Sequence, residues 1–448
     1  MAAPRELTEH DVAELSAAYG EPDWLRDVRL AAFKAFSALD WPDNRVEEWR
    51  YTDPRRFDLA RAILTDAGPA DAVATGITAT VRDAGGSIRI VDGAVVQATV
   101  CAEGAEQGVV VTDLATAARD HADLLRDALG TAVGSDEKFD ALNLAAFTGG
   151  GFVHVPADVE FAQPIIVTVQ ATRDGAILPR VVISTGRHAK ATVYVDHVGA
   201  AAATVVEVVE LVAGEGSVVQ LVSAQDWGGA VDHVATHRGL TRDNATVKAL
   251  EVTLGGRTVY VRPDVHLAHA GGNGELLGVY FGSEDQRFEH RSLIHHDASK
   301  TTSDLVYKGA LQGTSRATFF GNIRIEPHAR ATASDQTNRN LILTDGAKAD
   351  SIPFLEIHNS DVVRCGHHSS VGQVDELQLF YLESRGIPRE EAARLLVFGF
   401  FAEVLERIDL PGVTEVVLGE IEREIRSGPT TFMNQRRSSQ GANKGEAA

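Results

Sequence analysis

Cysteine is almost absent from this chain: 448 residues hold two, Cys101 and Cys365. They do not form a CxxC pair, so the disulfide framework of a small secreted domain is excluded and a reducing compartment is expected. No stretch of about 18 consecutive apolar residues occurs, which removes a membrane-spanning helix. Met1 to Gly20 is acidic and has no apolar core of a leader peptide. Runs of Lys and Arg are missing too, and the formal net charge is −21. A chain so acidic has no general attraction to nucleic acid or to an anionic membrane. These absences predict a cytoplasmic protein without nucleic-acid or membrane partners. Aromatic residues make up only 6%, too few for the long aromatic groove of a carbohydrate-active solenoid enzyme.

Several motifs are also lacking. No GxxxxGK[ST] occurs, so ATP hydrolysis through a P-loop is not expected of this chain. The cluster Gly271-Gly272-Asn273-Gly274 fails the dinucleotide fingerprint and reads as a corner between strands. HExxH, an EF-hand loop and a GxSxG elbow are absent.

What is present divides the chain into segments. Residues 1–150 read as a mainly helical N-terminal domain. Trp24, Val28, Ala31, Ala35 and Leu39 recur at helical spacing, with Pro22 near the start. Arg45 to Asp53, aromatic and charged together, reads as a helix end docked on the core. Strand-like pieces fall at Ser87–Ile90 and Gly108–Thr112, a helical stretch at Leu114–Leu129 and a short helix at Phe139–Phe147.

From 151 to 372, runs rich in Val, Ile and Thr replace helical periodicity, separated by Gly, Asn, Asp or Ser. Similar corners recur at Lys190-Ala-Thr192, Asn244-Ala-Thr246, Arg316-Ala-Thr318, Arg330-Ala-Thr332 and Lys348-Ala-Asp350. The later ones are 14 and 18 residues apart. A quasi-regular repeat without helices predicts a parallel β-helix, in which each coil buries its apolar face on the next. A β-sandwich is the rival, but its loops are less regular.

Residues 373–427 read as a C-terminal helical domain. Its first helix ends at Gly386, and Pro388, Glu390 and Glu391 open the next, as proline and acidic residues do at a helix start. Leu395, Phe398, Ala402, Leu405 and Ile408 form an apolar stripe, widened by Phe400 and Phe401. The segment 428–448 is polar and small-residue-rich, and disorder is expected there.

Sixteen histidines invite a metal site. His233 and His237 are four apart, but in a strand that spacing spans about 13 Å, too far for one ion. Ligands from successive coils could still converge. For most of these histidines the plainer reading is a polar corner or a solvent-facing position. Cys365-Gly366-His367-His368 is different, because it sets one of two cysteines beside two imidazoles, ligands suited to iron–sulfur chemistry or zinc. Cys365, His367 and His368 are therefore the candidate metal ligands. They cannot complete a four-ligand site alone, so another chain must supply the rest.

The motifs Tyr307-Lys-Gly-Ala-Leu, Gly321-Asn-Ile-Arg-Ile, Gln336-Thr-Asn-Arg-Asn-Leu-Ile-Leu343, Pro353-Phe-Leu-Glu-Ile357, Cys365-Gly-His367, Val371-Gly-Gln and Leu379 to Ile387 stand in order. With Arg45-Val-Glu-Glu-Trp-Arg-Tyr-Thr-Asp53, the set resembles the SufB/SufD family of iron–sulfur cluster assembly proteins. The Gln-Thr-Asn-Arg-Asn-Leu block is similar to the SufD branch, although His368 stands where many members have a small residue.

The resemblance implies a right-handed parallel β-helix flanked by helical domains, and a scaffold rather than an enzyme. It implies a SufB-type partner met through the β-helix end, a SufC-type ABC ATPase on the C-terminal helices and a sulfur donor system. A transient iron–sulfur cluster at the subunit interface would involve His367, with Cys365 close by. A reduced flavin is associated with such complexes, though no flavin motif is present. Phe380, Phe398, Phe401 and Leu405 become candidates for partner contact, the stripe from Phe398 mixing internal packing with ATPase docking. A homodimeric scaffold acting without SufB stays open as the alternative.

Overall fold

The structure, a computed structural model, describes residues 7–59, 63–66, 68, 76–81, 83–408 and 413–427. The tail expected at 428–448 lies outside the described residues.

Two helices come first, α1 (Glu9–Ala18) and α2 (Asp23–Ala38). Thr8 caps α1 through a reciprocal bond with Asp11. The buried face of α2 is Leu25, Arg29 and Ala32, one residue away from the stripe the apolar spacing predicts. The reason is electrostatic. Arg29 is fully buried because Glu21 pairs with it and the carbonyls of Ala145 and Phe147 accept its remaining protons. Trp49, in a short 3-10 turn (Glu47–Trp49), stacks on Tyr260 with ring centroids 4.3 Å apart. The docked reading of that segment holds, without an α-helix.

Next come β1 (Gly86–Val91), β2 (Ala94–Val100), α3 (Ala102–Glu106) and β3 (Val110–Asp113). Then follow α4 (Leu114–Asp120), α5 (Ala122–Ala128) and α6 (Lys138–Ala146). The single helix expected over 114–129 is broken at His121, whose φ of −131° leaves the helical region. The other cysteine, Cys101, is structural: its sulfur accepts from Gly104 N and its thiol donates to Gln163.

Seventeen strands then run in sequence. They are β4 (Gly149–Val155), β5 (Ile165–Ala171), β6 (Gly175–Ile177), β7 (Pro179–Thr185), β8 (Lys190–Gly199) and β9 (Ala203–Ala213). Next are β10 (Val218–Trp227), β11 (Asp232–Thr241), β12 (Thr246–Thr253), β13 (Thr258–Leu267) and β14 (Asn273–Gly282). The last are β15 (Arg287–His296), β16 (Thr302–Leu311), β17 (Arg316–Ile325), β18 (Thr332–Ile342), β19 (Lys348–Ile357) and β20 (Val362–Gly372). Three helices close the described chain: α7 (Glu376–Ser384), α8 (Arg389–Leu405) and α9 (Val413–Ser427).

The strands form a parallel β-solenoid of about eight turns. One sheet runs β2-β1-β5-β8-β10-β12-β14-β16-β18-β20, the other β19-β17-β15-β13-β11-β9-β7-β4-β3. The chain alternates between them, so one full turn takes two corners. Thr246 pairs with Asn273 and Asn273 with Thr302, a repeat of 27 and then 29 residues. The shorter interval legible in the sequence is therefore half a coil. Along one corner Asp158, His188, Gly216, Asn244, Gly271, Lys300 and Ala331 all have φ between 54° and 72°. That left-handed stack turns the chain into the next strand at the same place each time. Strands from residues 86–113 also join the sheets, since β1 pairs in parallel with β5 and β3 pairs with β4.

Each sheet is covered on both faces, which is why its strands read as near-continuous apolar runs. β9 is buried along its whole length. Val193, Val205, Val209, Leu221 and Ala249 fill the lumen. Outside one sheet, Leu25, Ala117, Leu125 and Phe147 of the N-terminal layer pack on Val182, Val208 and Val212. Arg180 and Glu210 pair within that layer with no exposure, and Asn143 and the Val133 carbonyl accept from the guanidinium. Outside the other sheet, Val397, Phe401 and Val404 of α8 pack on Leu277, Val279 and Val306.

Candidate functional site at the last coil

The solenoid ends at β19 and β20, and here its cover stops. Among the described residues each has a sheet neighbour on one side only, β17 and β18 respectively. Their free edges present unpaired backbone donors and acceptors, a template for another chain. Apolar side chains are exposed at the same end: Phe354, Ile357, Val371 and, at 74% exposure, Val363.

β20 carries the three candidate ligands. In the β18–β20 ladder Cys365 faces Ser334, Gly366 faces Asp335, His367 faces Gln336 and His368 faces Thr337. Side chains alternate along a strand. Cys365, His367 and Ser369 therefore share the lumen-side face with Ser334, Gln336 and Asn338, all buried. His368 projects from the opposite face, its Nε2 4.0 Å from Asp335 Oδ1. The strand brings Cys365 and His367 to one side and separates His368 from them.

Cys365 is half-buried against Ile323, Ile325 and Ala329, while His367 is exposed. Burial, and then the Asp335 carboxylate, push the Cys365 thiol above its ordinary pKa. The free coil thus holds a neutral thiol in reserve, and a bound metal would be needed to draw out the thiolate. Among the described residues no third His, Cys, Asp or Glu joins the pair closely enough to complete a three-ligand group.

Ser369 donates to Ser351 at 2.8 Å, and Ser351 donates to Asn338, which also accepts from Asn340. Asn340 in turn receives the Tyr280 hydroxyl. Polar side chains therefore line the lumen inward from the end coil. The Gln336-Thr-Asn-Arg-Asn motif supplies three of them at alternate positions of β18.

Residues 167–400 match the family described as SUF system FeS cluster assembly, SufBD core domain. The chain belongs to the SufBD family. Over 408 residues it is 33% identical to a SufBD family iron–sulfur cluster assembly protein of Mycobacterium leprae, covering 89% of this chain and 94% of that protein. It is 29% identical over 423 residues to the iron–sulfur cluster assembly protein SufD of Bacillus subtilis, covering 92% and 96%. A SufBD family protein of Staphylococcus epidermidis is 27% identical over 431 residues, covering 92% of each.

The partner-contact candidates of this SufBD chain separate sharply. Phe380 on α7 is 68% exposed and lies beside exposed Leu377 and Tyr381. Phe398 is partly buried, with the Arg394 guanidinium 5.2 Å from its ring. Phe401 and Leu405 are at most 1% exposed. They hold α8 on the solenoid and offer no surface, a correction to their reading as docking residues. A helix on a sheet needs such a buried stripe simply to stay there. Lys308 reinforces the seam by donating to the Phe400 carbonyl at 2.8 Å and pairing with Glu403. Among the described residues no helix is long and apolar enough to cross a membrane.

The plainer reading of the histidines fails for five of them. His197, His233, His237, His290 and His296 are at most 3% exposed and lie between the sheets. Only strand register could have revealed this, because a lumen position and a solvent position alternate along the same strand.

Proposed function

We propose that this chain is a SufD-type subunit of a cluster-assembly scaffold, itself non-catalytic. Its open solenoid end meets a SufB-type subunit, and its C-terminal helices carry a SufC-type ABC ATPase. An iron–sulfur cluster is the cargo, built between the two chains from sulfur delivered by a separate donor. Cys365 and His367 would offer a thiolate and an imidazole from this side, and the second chain the remaining ligands.

The observation that carries this reading is the coincidence of an incomplete ligand pair with the uncovered edges of β19 and β20. Either feature alone is ordinary; together they support reading this end as half of a site that a second chain completes. On α7, exposed Leu377, Phe380 and Tyr381 give the ATPase an apolar face. The lack of a P-loop in this chain fits an ATPase supplied in trans.

The test is co-purification of the tagged chain with SufB-type and SufC-type subunits, followed by native mass measurement. The expected assembly holds one copy of this chain, one SufB-type subunit and two ATPase subunits. A chain that pairs only with itself through the same end would move the reading to a homodimeric scaffold. A chain that binds neither partner nor itself would overturn it.

A further inference from the structure

Deep in the lumen, far along the sheets from the end coil, lies a group of ionisable side chains that cluster assembly at that end does not use. His197 on β8, Glu207 on β9, His233 and His237 on β11 and Glu251 on β12 are each at most 3% exposed. Three imidazoles converge on one oxygen. From Glu207 Oε2, the Nε2 atoms of His197, His233 and His237 lie 2.7, 3.1 and 3.3 Å away. The other oxygen, Oε1, is buried with no hydrogen-bond partner.

The far ring nitrogens set the tautomers. Trp227 Nε1 donates to His233 Nδ1 at 3.2 Å. A neutral His233 therefore carries its proton on Nε2 and gives it to Glu207. The other two rings are held the opposite way. His197 Nδ1 lies 3.1 Å from the Ala224 carbonyl oxygen, and His237 Nδ1 lies 2.9 Å from Glu251 Oε1. Both acceptors require the proton on Nδ1. In the neutral rings each Nε2 then turns a lone pair toward the Glu207 carboxylate, acceptor against acceptor. Something positive must sit between them.

We propose that His197, Glu207 and His237 bind a divalent transition-metal ion, Zn²⁺ or Fe²⁺, inside the solenoid. Two imidazoles and a carboxylate are the ligands such ions take, with open positions remaining. Their ligand atoms all lie within 4.8 Å of one another. Ligands at about 2.0–2.2 Å from one ion stand about 3 Å apart, so small side-chain shifts suffice. The Glu251 carboxylate and the Ala224 carbonyl orient the two rings from behind, as outer partners of metal-bound histidines do. A dication also balances the two buried carboxylates, Glu207 and Glu251, which a monovalent ion would not. Oε1 of Glu207, buried without a hydrogen-bond partner, leaves the carboxylate a second oxygen free to bind. The competing arrangement fills the gaps with protons, making both rings imidazolium.

The experiment uses the full chain, stripped with a chelator and reloaded separately with Zn²⁺ and, without oxygen, with Fe²⁺. Metal analysis after desalting is expected to find one ion per chain. X-ray absorption at the metal edge is expected to show nitrogen and oxygen neighbours only, with imidazole scattering. Glu207→Gln and His237→Asn should each weaken retention at least tenfold, while Cys365→Ser leaves it unchanged. A folded wild-type chain that retains neither ion overturns the proposal and favours the imidazolium arrangement. A sulfur neighbour overturns it by placing the ion at a cysteine, Cys101 or Cys365, outside the lumen group. Unchanged retention in folded Glu207→Gln overturns it as well. Should both variants fail to fold, the wild-type spectrum decides alone. Failure of the lumen site leaves the cluster-assembly reading standing, since that reading rests on Cys365, His367 and the edges of β19 and β20.

Discussion

Ala235 sits directly across from Glu207 in the β9–β11 ladder. Its neighbours on the same face of β11 are His233 and His237, two residues to either side. The missing bulk at Ala235 lets both rings lean toward one carboxylate. Across a strand spacing too long for the two histidines to share an ion, both rings still reach one carboxylate on the previous coil. The spacing argument measured along β11 alone misses this, because the third member comes from β9.

Ala235→Leu should therefore be disruptive. Leucine adds volume to a filled lumen between two histidines, at a cost of about 1–3 kcal/mol. A lower urea midpoint with an unchanged denaturant slope is the expected result. No change in midpoint would mean the lumen has room there.

The alternation along β20 places two adjacent histidines on opposite faces. His367→Ala in the assembled complex should lower cluster loading by about tenfold or more, with assembly intact. His368→Ala should leave loading unaltered, since that ring faces Asp335 on the other side. Loading can be read from the cluster's visible absorption and from iron and sulfide content. Equal losses in the two variants would refute the assignment of faces.

Phe401 and Phe380 should fail in different assays. Phe401→Ala removes a fully buried ring from the seam between α8 and the solenoid and should cost about 3–5 kcal/mol of stability. Phe380→Ala, on the exposed side of α7, should change stability by no more than about 0.5 kcal/mol. Its effect should appear in ATPase binding, at more than about 1 kcal/mol if the ring is an anchor. Unfolding curves and a binding titration distinguish the two.

Asp226 gives the seam of α9 a pH dependence. Burial first, then the carboxylates of Glu420, Asp196 and Glu424 against the opposing Arg423, raise its pKa from the ordinary 3.8 to about 6. A carboxyl group whose pKa is raised by folding favours the folded state only while protonated. Its contribution is complete below about pH 4 and is lost as the pH climbs through 6. Asp226→Asn should therefore stabilise the protein at pH 7.5, and its advantage should shrink steadily toward pH 4. A constant difference across that range would show that Asp226 does not titrate as described.

Much of the architecture is written locally. The left-handed corners announce themselves as small and polar residues such as Asn244 and Gly271, because few side chains tolerate positive φ. The runs between them are apolar on both faces because helices cover the outside and coils fill the inside. Pro388 opens α8, and Gly386, at φ 86°, sits just beyond the end of α7, each for a backbone reason visible in the sequence. Cys365 and His367 stand out as chemistry because cysteine is so scarce. The motifs from Tyr307 to Ile387 carry the family resemblance in order.

Burial and convergence, by contrast, were decided only when the coils stacked. Phe401 and Phe398 look alike in an apolar stripe, but one is fully buried in the seam and the other only partly. Arg29 reads as a surface residue until Glu21 and two carbonyls from α6 and the turn after it enclose its charge. His197, Glu207 and His237 are separated by up to 40 positions and come from three strands. The local pattern encodes which way a backbone turns. Which side chains meet depends on register between strands one coil apart, and that is set by the packing of the whole solenoid.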